Sequence, residues 1–489
     1  MPEYLSPGVY VEEIEIGAKP IEGVSTSTAG FLGETERGPT TPQLITSWLQ
    51  FQRVYGSYLA GAKYLPYAAE GFFANGGQRC YVARIVDQAA VAASLKLTSG
   101  VDDALTITAV GEGEWGNTIE VKVETGTFGG FKLTATYGDT EEVFDDISVD
   151  DTSTDYYAKK VNGISNLVTI SQEAGDTGDI PDGPAALTAL AGGDDGGTID
   201  AADYTRTDTD TPGSRRGLTA FREIDEISIV YVPNANSLTG LAGFIMEHCE
   251  TLKDRFAIID AQSGQSTISA IDPRSTRPSK YAAFYYPWIK VYDPLTKLNK
   301  LVPPGGHMAG IYARSDTERG VHKAPANEVV RGATLLEFTI TKGEQDILNP
   351  RGVNCIRAFP GRGIRIWGAR TLSSDALWKY INVRRLFIFL EESIEEGTQW
   401  VVFEPNDEKL WARVRQTITQ FLTRVWKDGA LMGTTPEEAF FVKCDRTTMT
   451  QDDIDNGRLI VLIGVAPVKP AEFVIFRIAQ WAGGAEVTE

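Results

Sequence analysis

Ile227-Ser228-Ile229-Val230-Tyr231-Val232, closed by Pro233-Asn234, and Phe256-Ala257-Ile258-Ile259-Asp260 flank a segment with helical apolar spacing over residues 238–252. Both flanking runs are short, apolar and rich in β-branched residues, as a strand buried on both faces must be. A helix between two such strands is a βαβ signal, and it predicts an α/β core built on a parallel sheet.

Outward from this unit, Thr28-Ala29-Gly30-Phe31-Leu32-Gly33 predicts a short buried strand that runs towards a turn at Gly38-Pro39. Short helices are expected over 47–55 and 66–74, the second stopped by Asn75-Gly76-Gly77. The run from Arg79 to Val86 is a strand. Towards the C-terminus, Ser374 can cap a helix over 375–396, with Asp375 at its positive end and Gly397 beyond it. A further helix over 407–427 is stopped by Asp428-Gly429. Its Leu410, Trp411, Val414, Ile418, Phe421, Leu422 and Val425 share one face, while Lys409, Arg413, Gln416, Gln420, Arg424 and Lys427 form a basic stripe opposite. Such a stripe is either a solvated helix face or a docking surface for an acidic partner.

The net charge of −20 is concentrated. Between Lys96 and Ser214 there are 24 acidic and 6 basic side chains, which leaves 42 acids against 40 bases elsewhere. That segment is Gly/Thr/Asp-rich and alternates in the manner of β-strands at Leu105-Thr106-Ile107-Thr108, at 118–123 and at 131–136. So acidic a surface disfavours nucleic-acid binding and reads as a solvated, solubilising domain. Met1-Pro2-Glu3 does not open a secretory signal. The longest apolar stretch, Leu459 to Val468, is about half of what a membrane span needs. Cys80, Cys249, Cys355 and Cys444 form no CxxC pair and read as reduced core thiols of a protein made in a cytosol.

Both ends carry strand-forming sequence without a partner nearby. Val9, Tyr10, Val11, Ile14 and Ile16 alternate or cluster near the start; Phe473, Val474, Ile475, Phe476 and Ile478 form a β-branched and aromatic run near the end. Unpaired strand edges invite association, so each end either folds back or pairs with another copy. The expected organisation is a mixed α/β, multidomain chain. It has a strand arm over 1–24, core over 25–90, an acidic β-rich insertion over 91–216, the second part of the core over 217–460, and a second strand arm over 461–489.

No catalytic, cofactor-binding or metal site is read in the sequence. Gly361-Arg362-Gly363 fails the dinucleotide pattern because the next glycine is Gly368, and no P-loop follows. Asp452-Asp453-Ile454-Asp455-Asn456-Gly457 fails as a calcium loop, since Ile454 and Ile463 stand where oxygen ligands are needed. There is no GxSxG elbow, and His248, His307 and His322 form no zinc pattern. His307 reads as a helix-start or turn residue.

Several stretches match a known family. Leu5-Ser6-Pro7-Gly8-Val9-Tyr10-Val11-Glu12-Glu13 resembles the "SPGVYVEE" start of contractile tail sheath proteins of phages, R-type tailocins and extracellular contractile injection systems. Trp115-Gly116-Asn117 resembles the family's "WGN" turn, and Pro303-Pro304-Gly305-Gly306 with Ala309-Gly310-Ile311-Tyr312-Ala313-Arg314 its "PPSG…AGIYAR" stretch, with glycine in place of the serine. Residues 319–327 resemble "RGVHKAPAN", and 366–372 and 380–386 complete the set.

The resemblance implies a structural subunit, not an enzyme, without cofactor or metal. Its copies would stack as hexameric rings around an inner tube, exchange terminal strands and contract to drive the tube through a target envelope. Baseplate and terminator or cap proteins are further implied partners; direct membrane insertion and nucleic acid are not. Assembly in a bacterial cytoplasm, within a phage tail or a released particle, is implied too. Attachment to the tube is expected through Lys409, Arg413, Arg424 and Lys427, with Arg384 and Arg385 as the competing set. The alternatives are a sheath-like paralogue that caps or joins the baseplate, and a surface-glycan hydrolase carried on the acidic domain.

Overall fold

A computed structural model describes residues 20–477. Its centre is an eight-stranded sheet of β1 (Ala29–Gly33), β2 (Gln43–Ile45), β3 (Cys80–Arg84), β4 (Ile229–Tyr231), β5 (Phe256–Asp260), β6 (Ala282–Tyr286), β7 (Val353–Phe359) and β8 (Gly363–Trp367). The spatial order is β8-β7-β6-β5-β4-β1-β3-β2. The inner pairs are parallel, and β2 and β8 close the two edges antiparallel. Strand β1 pairs with Ile229 of β4 and Cys80 of β3 through the same residue, Ala29, so the core is assembled from both halves of the chain. Every residue of β1, β5 and β6 is buried, as a sheet covered on both faces requires.

The covering helices are α1 (Trp48–Tyr55), α2 (Leu65–Ala74), α3 (Leu241–Leu252) and α4 (Gly305–Arg319). The Ser47 hydroxyl accepts from the Gln50 amide at 3.1 Å and starts α1 where expected. Helices α2 and α4 pack on each other and on the sheet. Their close approach depends on Gly306, where any Cβ would run into the Ala68 backbone. At Gly305, the position at which this chain departs from the family's serine, a side chain would collide with the Tyr231 ring. Tyr231 takes that space because its hydroxyl donates to Asp260 at 2.6 Å, and the other Asp260 oxygen accepts from the Gly305 amide at 2.8 Å. His307 lies buried in the first turn of α4, as the sequence suggested.

Burial raises the Asp260 carboxyl to about 7, against the opposing pull of the bonds from Tyr231 and Gly305. A folded-state value above the unfolded one contributes stability that is complete below about pH 4 and is lost as the pH rises through 7. Asp260→Asn stays neutral. Its melting temperature should therefore gain on that of the natural chain as the pH rises from about 4 to about 7 and keep that lead at higher pH, as read by calorimetry. A difference that does not vary with pH would contradict this.

Between β3 and β4 the chain builds a second apolar core, spanning Ala93 to Leu190. It is all antiparallel. One sheet orders Thr188–Ala189, Glu120–Thr125, Phe131–Tyr137 and Thr140–Ile147; the other orders Ser94–Ser99, Asp102–Ala109 and Val168–Ser171. The "WGN" turn is a 3-10 helix over Glu114–Thr118, whose Asn117 amide exchanges two bonds with Gly193, each of 2.8 Å. Arg84 donates to the Glu112 carbonyl at 2.6 Å, Arg216 pairs with the Glu112 carboxylate, and Tyr137 donates to Glu36 at 2.9 Å. These bonds fasten the insertion to the central sheet.

A third core lies beyond the sheet. It combines Ile21 and Val321 with α5 (Ile381–Gly397), α6 (Glu408–Lys427) and a hairpin of Phe440–Lys443 against Leu462–Val465. Two expectations fail here. The helix expected from residue 375 begins only at Ile381; Asp375 caps a separate 3-10 turn, Ala376–Trp378. The backbone between them is taken by pairing: the Thr371 amide donates to the Lys379 carbonyl at 2.9 Å, and that of Ile381 to the Ala369 carbonyl at 3.0 Å. The second is the arm assigned from 461. Leu462–Val465 pairs within its own chain, and the Val468 amide returns to the Ala430 carbonyl at 3.1 Å.

Candidate functional site

Among the described residues no helix is long and apolar enough to cross a membrane, and no group of His, Cys, Asp and Glu is placed to hold a metal. Burial lowers His248 to about 3 and His307 to about 4, and raises the Cys355 thiol to about 12. All four thiols are buried and free. Groups held neutral in this way are core residues. Three exposed surfaces are candidates for docking, two of them on the third core.

The hairpin is the first. Among the described residues neither of its strands pairs with a third strand, although just beyond Val465 the backbone is taken, the Met432 amide donating to the Ala466 carbonyl at 2.8 Å. Phe441 and Leu462 keep about half of their surface exposed there. An open, apolar-edged hairpin is a template for an incoming strand.

The C-terminal run is the second. Phe473, Val474, Ile475 and Phe476 are 69–84 % exposed and, among the described residues, belong to no strand. Just before them, Glu472 is held by Arg370, Asn349, Tyr380 and Lys379. The first described residues follow a different path, along α5. The Val24 amide donates to the Ser393 hydroxyl at 3.1 Å, and Ile21 packs against Gly397. Val9, Tyr10, Val11, Ile14 and Ile16 at one end, and Ile478 at the other, lie outside the described residues.

The third surface is the stripe on α6. The Asp407 carboxylate accepts from the Leu410 amide at 2.8 Å and starts the helix, whose apolar face is buried as its spacing predicts. Lys409, Arg413, Arg424 and Lys427 are all exposed. Among the described residues, Lys409, Arg424 and Lys427 make no ion pair; Arg413 lies over the Trp400 ring at 4.6 Å and 3.9 Å from Glu404. Beside the stripe, Val402 and Phe403 project into solvent from the α5–α6 loop, with Phe403 at φ +69°. The sequence reading missed this apolar pair, which shows only as a short Val401-Val402-Phe403 run before Pro405.

Arg384 and Arg385 do not belong to this surface. They are 2 % and 3 % exposed. Arg384 lies between the rings of Tyr281 and Trp378 and pairs with Glu391. Arg385 grips Asp316 of α4 with two bonds, 2.9 and 2.6 Å, and the Thr26 carbonyl with a third of 2.7 Å. A polar residue on the inward face of an amphipathic helix is a partner for buried groups, and helical spacing puts both arginines there.

Residues 197–372 match the model of the phage tail sheath protein central domain, and residues 373–480 that of the phage tail sheath C-terminal domain. The tail sheath protein of Burkholderia phage BcepMu is 25 % identical over 475 residues, which cover 93 % of this chain and 92 % of that protein. The sheath of the anti-feeding prophage in its contracted state, solved by cryo-EM, superposes with a TM-score of 0.62 at 25 % identity, over 97 % of this chain and 99 % of that one. A chain of the anti-feeding prophage baseplate superposes with a TM-score of 0.60 at 26 % identity, over 98 % and 99 %.

Proposed function

The chain belongs to the contractile tail sheath family, and we propose that its copies polymerise by exchanging terminal arms, stack as hexameric rings around an inner tube and contract to drive that tube through a target envelope. The family is structural rather than enzymatic. The single observation that carries the proposal is the presence, in one subunit, of four consecutive exposed apolar residues, Phe473 to Phe476, and of a separate two-stranded hairpin that they do not join. A subunit that offers a strand and also a place for one makes a heterologous contact, and such a contact propagates. The likeness to a sheath solved in the contracted state supports contraction. Electron microscopy of the purified chain tests the proposal: long hollow tubes are expected, and a persistent monomer at high concentration would overturn it.

Within this reading the α6 stripe holds the inner tube. Arg413→Glu with Arg424→Glu should leave sheath polymerisation and the melting temperature unchanged, since both side chains are exposed. Co-assembly with the tube should weaken, and what remains should depend less steeply on salt than in the natural chain, because the attraction that salt screens has been removed. Normal tube occupancy in the double variant would remove the stripe from this role. The second reading, a paralogue that joins the baseplate, draws on the likeness to the anti-feeding prophage baseplate chain. It predicts rings without extended tubes in the same micrographs.

A further inference from the structure

Glu472 stands at an abrupt boundary. Its carboxylate accepts from Arg370 Nε at 2.7 Å and Asn349 Nδ2 at 2.9 Å on one oxygen. The other oxygen accepts from Arg370 Nη2 at 2.8 Å and the Tyr380 hydroxyl at 3.0 Å, with Lys379 Nζ at 3.4 Å. One residue later the chain turns apolar and exposed. Residues 469–472 have no regular secondary structure, so this fixation comes from the side chain alone.

The clamp is rooted in two rigid elements. Arg370 is itself held: its amide donates to Asn354 of β7 at 2.7 Å, and its Nη1 to the Asn349 carbonyl at 3.0 Å. Tyr380 immediately precedes α5. At the far end of that helix, Ser393 and Gly397 receive Val24 and Ile21 of the N-terminal segment. The two ends of the described chain therefore attach at opposite ends of one helix of 17 residues. At 1.5 Å per residue its length is about 25 Å.

We propose that Glu472 is the fixed root of the C-terminal arm, and that the Glu472–Arg370–Tyr380 cluster and α5 form a strut that carries load from one neighbouring copy to the next. The proposal rests on the arm exchange argued above. An anchored root spares the docking arm the cost of ordering residues 469–472, which for a free segment is about 1–2 kcal/mol per residue. It also fixes the distance between copies, where a slack link would let them shift. The joint is suited to acid: burial alone would raise the carboxyl, but the bonds from Arg370, Asn349 and Tyr380 hold it at about 2. A depressed value keeps the charged clamp intact from neutral pH down through the ordinary carboxylate range, with loss only as the pH falls through about 2.

The test compares three full-length preparations with the chain truncated before Phe473. These are the natural chain, Glu472→Gln, which keeps the shape and removes the charge, and Tyr380→Phe, which removes one donor. Glu472→Gln should leave the monomer melting temperature within about 3 °C of the natural value. It should raise the concentration needed for tube formation on the order of tenfold, and its tubes should break into shorter lengths under shear. Tyr380→Phe should move both readouts in the same direction by less. If Glu472→Gln matches the natural chain in both readouts while the truncated chain does not polymerise, the joint is refuted and arm exchange stands. If the truncated chain forms normal tubes, both fail. A large fall in melting temperature for both point variants would mark Glu472 as an ordinary folding contact and overturn the proposal.

Discussion

Removal of residues 473–489 is expected to yield a folded monomer that forms no tubes. The described part of the segment contributes little to its own subunit, because Phe473 to Phe476 are mostly exposed and lie outside the three apolar cores. Circular dichroism and the melting temperature should therefore be close to those of the full chain. In an assembly the same residues are worth far more. Burial of a large apolar side chain contributes roughly 1.5–3 kcal/mol, and each ladder bond about 1 kcal/mol net. Ordering the strand costs about 1–2 kcal/mol per residue, so each joint is left with a modest surplus that the lattice multiplies. Sedimentation and negative-stain microscopy read the outcome, and normal tubes from the truncated chain would sink arm exchange. Deletion of residues 1–16 should likewise leave the fold intact and abolish polymerisation.

Arg385→Ala should do the opposite and attack the subunit itself. The guanidinium bridges α5, Asp316 of α4 and the Thr26 carbonyl, and both charged side chains are almost fully buried. Removal of one partner strands the other charge away from water, at a cost of about 3–5 kcal/mol. In a protein of several domains this corresponds to a fall on the order of 10 °C in the melting temperature of the affected part. Replacing both partners with apolar residues of similar volume, Arg385→Met with Asp316→Leu, should recover part of the loss, because no charge is then left unpaired. A melting temperature for Arg385→Ala equal to that of the natural chain, together with defective tube binding, would return Arg385 to the surface role expected from sequence.

The contrast between Arg385 and Arg424 shows where sequence reading ran out. Both are arginines on amphipathic helices with apolar neighbours at helical spacing. On α6 the apolar and basic residues separate onto opposite faces, so the direction of Arg424 follows from periodicity. On α5, Arg384 and Arg385 fall on the inward side, and their destinations are Glu391 of the same helix and Asp316, 69 positions away. Helical spacing says which side a residue faces; it does not say what waits there. The late start of α5 has a similar origin, since residues 379 and 381 give their backbone groups to residues 369 and 371, a tertiary pairing that outweighs a favourable local cap.

By itself the sequence determined the α/β character of the core, the strands β1, β3, β4 and β5, the helices α1, α2, α3 and α6, the β-rich acidic insertion and, through its motifs, the family. These follow from patterns confined to a few consecutive turns or strands, where burial on one or both faces fixes the periodicity. Only the tertiary structure decided that Leu462–Val465 is spoken for within its own subunit, that the exposed run begins after Glu472, and that Arg384 and Arg385 are interior. Each of those outcomes depends on a partner distant in the chain: Phe440–Lys443 for the hairpin, Arg370 and Tyr380 for the clamp, Asp316 for the buried pair. Local spacing carries no record of such partners, because a hydrogen bond or ion pair between distant residues is set by how whole elements pack.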